Sequence, residues 1–304
     1  MRVAVVGGGI GGLAAALAMV RRGIEVAVYE QSEVLAEVGA GVQITRGRGR
    51  ADGQRGLDWT PDGQIAFVSG ASGREQVWIT DADGRSVRQL TAAAQEPVFG
   101  ISVSPDGQYI LFQRLADRRM RIWRMKLDGS EQTLVTEGDL DQGPVAAPGG
   151  LVYFHRIVDG SPRTFKVPVD GGNPTQIGDY HFRPIDVSPD GSQLLGLTWD
   201  GEAQRSALAI MPASGEQPPR LLARIPAFVG GFTPDGTGVV YPVIVRGGVR
   251  LDRLDLASGQ VAPFGLVPDL VFNGAVSRDG KRLVLARGGI LSDVLLLTMR
   301  RLGE

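Results

Sequence analysis

From Leu57 onward, short apolar runs alternate with polar turns at a steady spacing. Val103 and the run Tyr109-Ile110-Leu111-Phe112 flank the turn Ser104-Pro105-Asp106-Gly107. Proline presets φ at the first corner of such a turn, aspartate bonds to its own backbone, and glycine accepts the positive φ that closes it. Apolar runs joined in this way predict a hairpin. The turn recurs at Pro61-Asp62-Gly63, Pro105-Asp106-Gly107, Pro189-Asp190-Gly191 and Pro234-Asp235-Gly236, with degenerate copies at Pro148-Gly149-Gly150 and Arg278-Asp279-Gly280. The intervals are 44, 43, 41, 45 and 44 residues. A period of that length, made of short strands, predicts propeller blades.

Each repeat follows one order. A strand enters the turn and a second leaves it, as in Ile65-Ala66-Phe67-Val68 or Leu194-Leu195-Gly196-Leu197. A third often carries an aromatic, as in Val77-Trp78-Ile79 or Ile122-Trp123-Arg124, and a fourth ends in Gln89-Leu90-Thr91 or Leu134-Val135-Thr136. Four antiparallel strands in each of six units give a mainly β fold, a six-bladed β-propeller over 57–304, closed so that no sheet edge stays free. The sixth repeat lacks a fourth strand before the chain ends at Glu304. Gln43-Ile44-Thr45 stands 16 residues before Pro61, close to the spacing at which other fourth strands precede their turns. Residues 41–45 are therefore expected to close the ring.

The first 45 residues follow another pattern. Val3-Ala4-Val5-Val6 is a buried-strand run, Leu13 to Arg22 is alanine-rich and helical in period, and Glu25-Val26-Ala27-Val28-Tyr29-Glu30 predicts a second strand ending in an acid. Between the first strand and the helix lies Gly7-Gly8-Gly9-Ile10-Gly11-Gly12, a G-x-G-x-x-G fingerprint on Gly7, Gly9 and Gly12, with Glu30 18 residues beyond. Gly7 would make the turn, Gly9 would let a pyrophosphate approach the backbone, and Gly12 would let helix and strand pack closely. The helix N-terminus, including Ile10 and Gly11, would offer amides to the phosphates, and Glu30 would accept ribose hydroxyls. A short Rossmann-type βαβ fragment is expected over 1–45, joined to the propeller by a polar, glycine-rich linker at 46–56.

Composition changes the picture in a few places. Forty-four glycines and eighteen prolines fit a turn-dense chain. A net charge of −1 gives no general attraction to nucleic acid or to anionic membranes, and no membrane span is expected. Without cysteine there is no disulfide, thiolate nucleophile or cysteine-held zinc. The uncharged stretch after Arg2 also has the outline of a secretory signal, although its glycines fit the fingerprint better. A cytoplasmic location is expected, with the periplasm as the alternative.

Gly7 to Glu30, followed by Glu37-Val38-Gly39-Ala40-Gly41-Val42-Gln43-Ile44, closely resembles the start of FAD-dependent aromatic-ring monooxygenases of the salicylate-hydroxylase type. The resemblance implies that Gly7, Gly9, Ile10, Gly11, Gly12 and Glu30 hold the ADP part of FAD. It covers about the first 45 residues and stops after Thr45. The repeats from 57 to about 300 resemble TolB-like six-bladed propellers built from Pro-Asp-Gly turns, which occur in periplasmic transport proteins, beside prolyl-oligopeptidase-type hydrolases and in bacterial regulators.

Within the propeller each candidate site has a structural counterpart reading. Asp62, Asp106, Asp190, Asp235 and Asp279 could form a carboxylate ring, but each is the turn residue of its own hairpin. Trp59, Trp78, Trp123 and Trp199 are expected to pack between blades, and His155 and His181 to be satisfied or surface histidines. Arg114, Arg118, Arg119, Arg121, Arg124 and Lys126 form a basic patch that fits an acidic partner or a solvated blade edge equally. No Gly-x-Ser-x-Gly elbow follows the propeller. The function expected is a non-catalytic binding or scaffold propeller that takes an unidentified protein or small ligand on its face or in its channel. An FAD-dependent monooxygenase relative is one alternative, and a fusion of two truncated genes with a vestigial leader is another. Whether the protein is an enzyme stays open.

Overall fold

A computed structural model describes residues 2–6, 25–29, 56–92, 96–224, 230–246, 248–267 and 270–288. Its contacts divide the chain between Gln43 and Ile44. In the first unit, β1 (Arg2–Val6) and β2 (Glu25–Tyr29) pair in parallel, in register from Arg2↔Glu25 to Val6↔Tyr29.

The second unit is an all-β propeller, with no helix among the described residues. Its first blade is β3 (Leu57–Trp59), β4 (Ile65–Ser69), β5 (Gln76–Thr80) and β6 (Arg88–Gln89), and the second is β7 (Val98–Val103), β8 (Tyr109–Ala116), β9 (Arg119–Lys126) and β10 (Thr133–Leu134). The third comprises β11 (Asp141–Ala147), β12 (Leu151–Val158), β13 (Ser161–Pro168) and β14 (Thr175–Gln176), and the fourth β15 (Phe182–Val187), β16 (Gln193–Asp200), β17 (Arg205–Pro212) and β18 (Arg220–Ala223). The fifth is β19 (Gly231–Phe232), β20 (Gly238–Val245), β21 (Gly248–Asp255) and β22 (Val261–Val267). Every neighbouring pair within a blade is antiparallel, as the hairpin turns dictate.

The expected count of six complete blades is corrected here: five blades have four strands, and the sixth repeat contributes a two-stranded sheet, β23 (Leu270–Val276) and β24 (Leu283–Gly288). Residues 41–45, expected to close the ring, lie outside the described residues, as do 289–304. The two-stranded sheet nevertheless packs on both of its neighbours. Ala275, Val284 and Ala286 meet Leu57, Trp59, Ile65 and Phe67 of the first blade, while Val271, Leu283 and Leu285 meet Val240, Val249, Leu251 and Val267 of the fifth. The Trp59 indole N–H donates to the Ala275 carbonyl at 3.0 Å.

The core is divided among the junctions between blades. Ala66, Val68, Val77 and Ile79 face Val98, Ile110, Phe112 and Met125 across the first junction, and similar clusters fill the others. Trp59, Trp78 and Trp123 join these clusters as expected. Trp199 does not: it is 48% exposed, with its ring near His181.

The repeated turn does more than reverse the chain. The residue before the turn joins in: the hydroxyls of Ser104, Ser188, Thr233 and Ser277 donate to Asp106, Asp190, Asp235 and Asp279 at 2.5 to 2.6 Å, and Thr60 does the same to Asp62. The same hydroxyls accept the N–H at the start of the next strand, at 2.9 Å for Tyr109, Gln193 and Gly238, and for Arg282 one residue before it. The aspartates are thus bound within their own hairpins, and the described residues hold no cluster suited to a metal. The turns also stack around the ring. A Cβ on Gly107 would lie 3.0 Å from Pro61 Cγ, and one on Gly191, Gly236 or Gly280 would touch the preceding proline at 3.5 to 3.7 Å.

The basic patch of the second blade is largely engaged by its own chain. Arg114 is 8% exposed and lies over the Phe112 and Trp123 rings, and Arg124 pairs with Asp170 and lies over Tyr109. Arg119 pairs with Asp139 and Lys126 with Glu131. Among the described residues no helix is long and apolar enough to cross a membrane.

Gly107→Ala should destabilise the propeller by more than Gly149→Ala. Both positions have positive φ, at 71° and 76°, and an alanine there costs about 1–2 kcal/mol, but only the first would press on a neighbouring blade. Urea unfolding of the two variants gives the comparison, and equal losses would mean that the turn stack carries no energy.

Candidate binding site in the central channel

The innermost strands β3, β7, β11, β15, β19 and β23 surround a channel of about 790 Å³. At one end it is rimmed by the repeated turns, through Pro105, Pro148, Pro189, Pro234 and Arg278. Just inside this rim, the residue three positions before the turn proline acts as a staple between blades. Asp58 accepts the Trp59 N–H on one oxygen at 2.8 Å and the Val103 N–H of the second blade on the other at 2.7 Å. Asp186 repeats the arrangement with Val187 at 2.8 Å and Phe232 of the fifth blade at 2.7 Å. Ser102 Oγ accepts from Ala146 N at 3.0 Å in the same place.

Holding two carboxyls at this depth has an electrostatic cost. Burial raises Asp58 from the usual 3.8 to about 6, against the pull of its two N–H donors and the Arg278 guanidinium. Burial likewise raises Asp186 to about 7, and the charge of Asp58 across the channel adds to it. The carboxyls are enclosed by protein, yet both line the channel. With both oxygens already accepting main-chain N–H groups, each keeps one further lone pair that a proton can take.

Toward the other end, the innermost strands carry bulges, between Phe99 and Ile101, Gln142 and Val145, Pro184 and Asp186, and Val271 and Asn273. In two adjacent blades the bulge holds a glycine with positive φ, Gly100 at 45° and Gly143 at 62°. The missing Cβ opens a gap through which a second-strand residue reaches the channel. A Cβ on Gly100 would lie 3.3 Å from Gln113 Oε1, and one on Gly143 would lie 3.1 Å from His155 Nδ1. Gln113 Oε1 accepts the Gly143 N–H at 2.7 Å, so the two gaps are joined across the blade junction. His155 is only 4% exposed, and its Nδ1 has no partner. Burial, and then the charge of Arg183, hold it down to about 3, so the imidazole is neutral at physiological pH.

Arg183, exposed at the start of β15, lines the same space. Burial lowers its pKa, and among the described residues no carboxylate lies within ion-pairing reach of it. The sequence reading expected His155 to be satisfied or on the surface and overlooked Asp58, Asp186 and Arg183. Alignment of Asp58-Trp59-Thr60-Pro61 with Asp186-Val187-Ser188-Pro189 would have exposed the staple position, whereas nothing local marks Arg183. His181 is not in the channel lining, although Arg183 and Arg163 both hold its pKa down after burial.

The nucleotide-binding candidates Gly7, Gly9, Ile10, Gly11, Gly12 and Glu30 lie outside the described residues. Their flanks do not: Val6 and Tyr29, which precede Gly7 and Glu30, are opposite one another in the parallel pair. Parallel neighbours require a crossover connection, as a βαβ unit supplies.

Residues 36–184 match the model of the TolB β-propeller domain. The propeller is TolB-like. The solved TolB of Acinetobacter baumannii superposes on 69% of this chain and 54% of its own, with a TM-score of 0.61 at 20% identity, a likeness of fold. An uncharacterized protein of Agrobacterium fabrum is 26% identical over 152 residues, 47% of this chain and 50% of that protein. Residues 5–43 match the NAD(P)-binding Rossmann-like domain. A 3-hydroxybenzoate 6-hydroxylase of Polaromonas naphthalenivorans is 64% identical over 42 residues, 14% of this chain and 10% of the hydroxylase. The chain thus spans about half of the one relative and a tenth of the other. A TolB-like propeller preceded by a Rossmann-like fragment is what the two patterns in the sequence anticipated.

The titrations predict opposite pH trends. Asp58 and Asp186 have folded values above 3.8, so their contribution is complete below about pH 4 and is lost as pH rises through about 6 and 7. Asp190 and Asp235 are held down to about 2, chiefly by the Ser188 and Thr233 hydroxyls, so their contribution is present above about pH 4 and is lost on acidification toward 2. In urea unfolding, the stability gap between the wild type and Asp186→Asn should therefore narrow from pH 4 to pH 8. A constant gap would show that Asp186 ionises normally.

Proposed function

We propose that this protein is a non-catalytic binding propeller whose ligand, a small molecule or the tip of a partner, enters the central channel. The observation that carries the reading is the convergence of Asp58, Asp186, His155, Arg183 and Arg278 on one channel of about 790 Å³. Pockets of this size with a few polar groups on apolar walls are typical ligand sites. Evolving a fold alone would leave no reason to bury an unpartnered imidazole, which costs free energy without stabilising a blade. A thermal-shift panel of organic acids, amines, sugars and dinucleotides tests the reading. At least one class should raise the melting temperature by several degrees, and Gln142→Trp, which places an indole on the channel wall, should abolish the rise. A flat response to every class overturns it.

The second reading is FAD binding by residues 1–45, through Gly7, Gly9, Ile10, Gly11, Gly12 and Glu30. It is supported by the parallel pairing of β1 and β2 and by the identity with the hydroxylase segment. Titration with FAD, followed by flavin fluorescence, separates the cases. Saturable binding that Gly9→Trp removes would establish a working dinucleotide site, and no saturable binding would leave the fragment as a leader from a truncated fusion.

We also infer a complete sixth blade, with β23 and β24 as its inner half. Support comes from their packing on both neighbours. Removing residues 289–304 should then lower the melting temperature by several degrees, whereas an unchanged value would refute the outer half of that blade.

A further inference from the structure

The channel has two chemically different ends, and one is poorly explained by folding. The staple end is internally satisfied: both oxygens of Asp58 and Asp186 accept main-chain N–H groups, and Arg278 donates to the Ser104 carbonyl at 3.2 Å. The bulge end is not. There, the Arg183 guanidinium has no ion-pair partner among the described residues, His155 Nδ1 is buried without a partner, and Gln142 lines the same wall. Two glycines that leave gaps in the innermost strands let the second strand meet the channel at this level.

We propose that Arg183 and His155 form a carboxylate-binding subsite within the channel, with Arg183 as the two-pronged donor and the imidazole of His155 as a neutral hydrogen-bonding partner. This rests on the channel reading above and specifies its ligand. Three features select a carboxylate. The planar guanidinium fork matches the two oxygens of a carboxylate in geometry as well as charge. A neutral imidazole can donate one N–H without adding a second charge, which suits a single carboxylate group already faced by one guanidinium. The channel lining also includes Phe99, Leu115 and Ile185, apolar surface that the body of an organic acid could meet and an inorganic ion could not use.

The electrostatics of the whole channel agree. Arg183 and Arg278 both line it, while Asp58 and Asp186 have their negative charge reduced near neutrality by burial. Arg183 and Asp186 sit three residues apart on β15 with a bulge between them, and they do not form an ion pair. The ligand could be a free organic acid or the terminal carboxylate of a peptide, since both present the same group.

Calorimetric titration of the full chain with succinate, inorganic phosphate, and an N-acetylated tripeptide as its free acid and as its amide tests the subsite. We expect succinate or the peptide acid to bind saturably, the amide and phosphate to bind at least tenfold more weakly, and Arg183→Gln to weaken binding by about tenfold or more. Preference for succinate over the peptide acid identifies a small-molecule ligand, and the reverse a chain terminus. Arg183→Lys, which keeps the charge and loses the fork, should bind more weakly than the wild type, and His155→Phe should weaken binding while the circular dichroism and melting temperature of each variant report whether it folds. Equal binding of phosphate and succinate, or undiminished binding in folded Arg183→Gln, overturns the proposal. If no carboxylate binds while an amine or sugar still shifts the melting temperature, the subsite fails and the channel reading survives; if nothing binds, both fail.

Discussion

Burial of one blade's face against the next is the interaction on which this molecule depends. A four-stranded sheet of these lengths has no interior of its own, and the large buried side chains, such as Phe67, Phe112, Phe154 and Leu208, lie in clusters shared with a neighbouring sheet. Stability is therefore a property of junctions, and an open arc would leave two apolar faces in water. The two-stranded sheet β23–β24 matters out of proportion to its size because it covers both of those faces at once. The Trp59 to Ala275 hydrogen bond ties the first and last repeats together across more than two hundred residues of chain.

The turns and staples follow from the same constraint. Innermost strands converge on the axis, so their ends crowd, and the stacked Pro and Gly residues and the carboxyls of Asp58 and Asp186 fix how they meet. A carboxylate is a strong acceptor for two N–H groups from different blades, and its cost is a raised pKa in an enclosed space. The bulges relieve crowding at the other end by bending the strands, and in doing so they bring Gln113 and His155 to the axis. The polar groups that line this channel, Arg183 among them, are thus set in place by ring geometry. The N-terminal fragment stands apart from this logic. Its likeness to the hydroxylase is high in identity and short in extent.

Much of the fold was legible because its signals are local. Pro-Asp-Gly needs only neighbouring residues to turn the chain, and repetition of that turn every forty-odd residues determines blades, antiparallel strands and junction packing before any contact is known. The parallel setting of β1 and β2 was equally implied by the glycine fingerprint between them. Tertiary structure decided what depends on residues a blade or more apart. It set the strand number of the sixth sheet, left Trp199 exposed where Trp59 is buried, and engaged the arginines of the second blade with their own neighbours. It also made the site. In Val152-Tyr153-Phe154-His155 the alternation of a strand cannot say that His155 meets the channel, because that requires a bulge at Gly143 on the adjoining strand and its missing Cβ. Asp58 and Asp186 look like ordinary strand-end acids until the ring brings them to opposite sides of one cavity, where the low dielectric couples them. Periodicity records what each repeat does alone, and only closure of the ring assembles residues from six repeats around one axis.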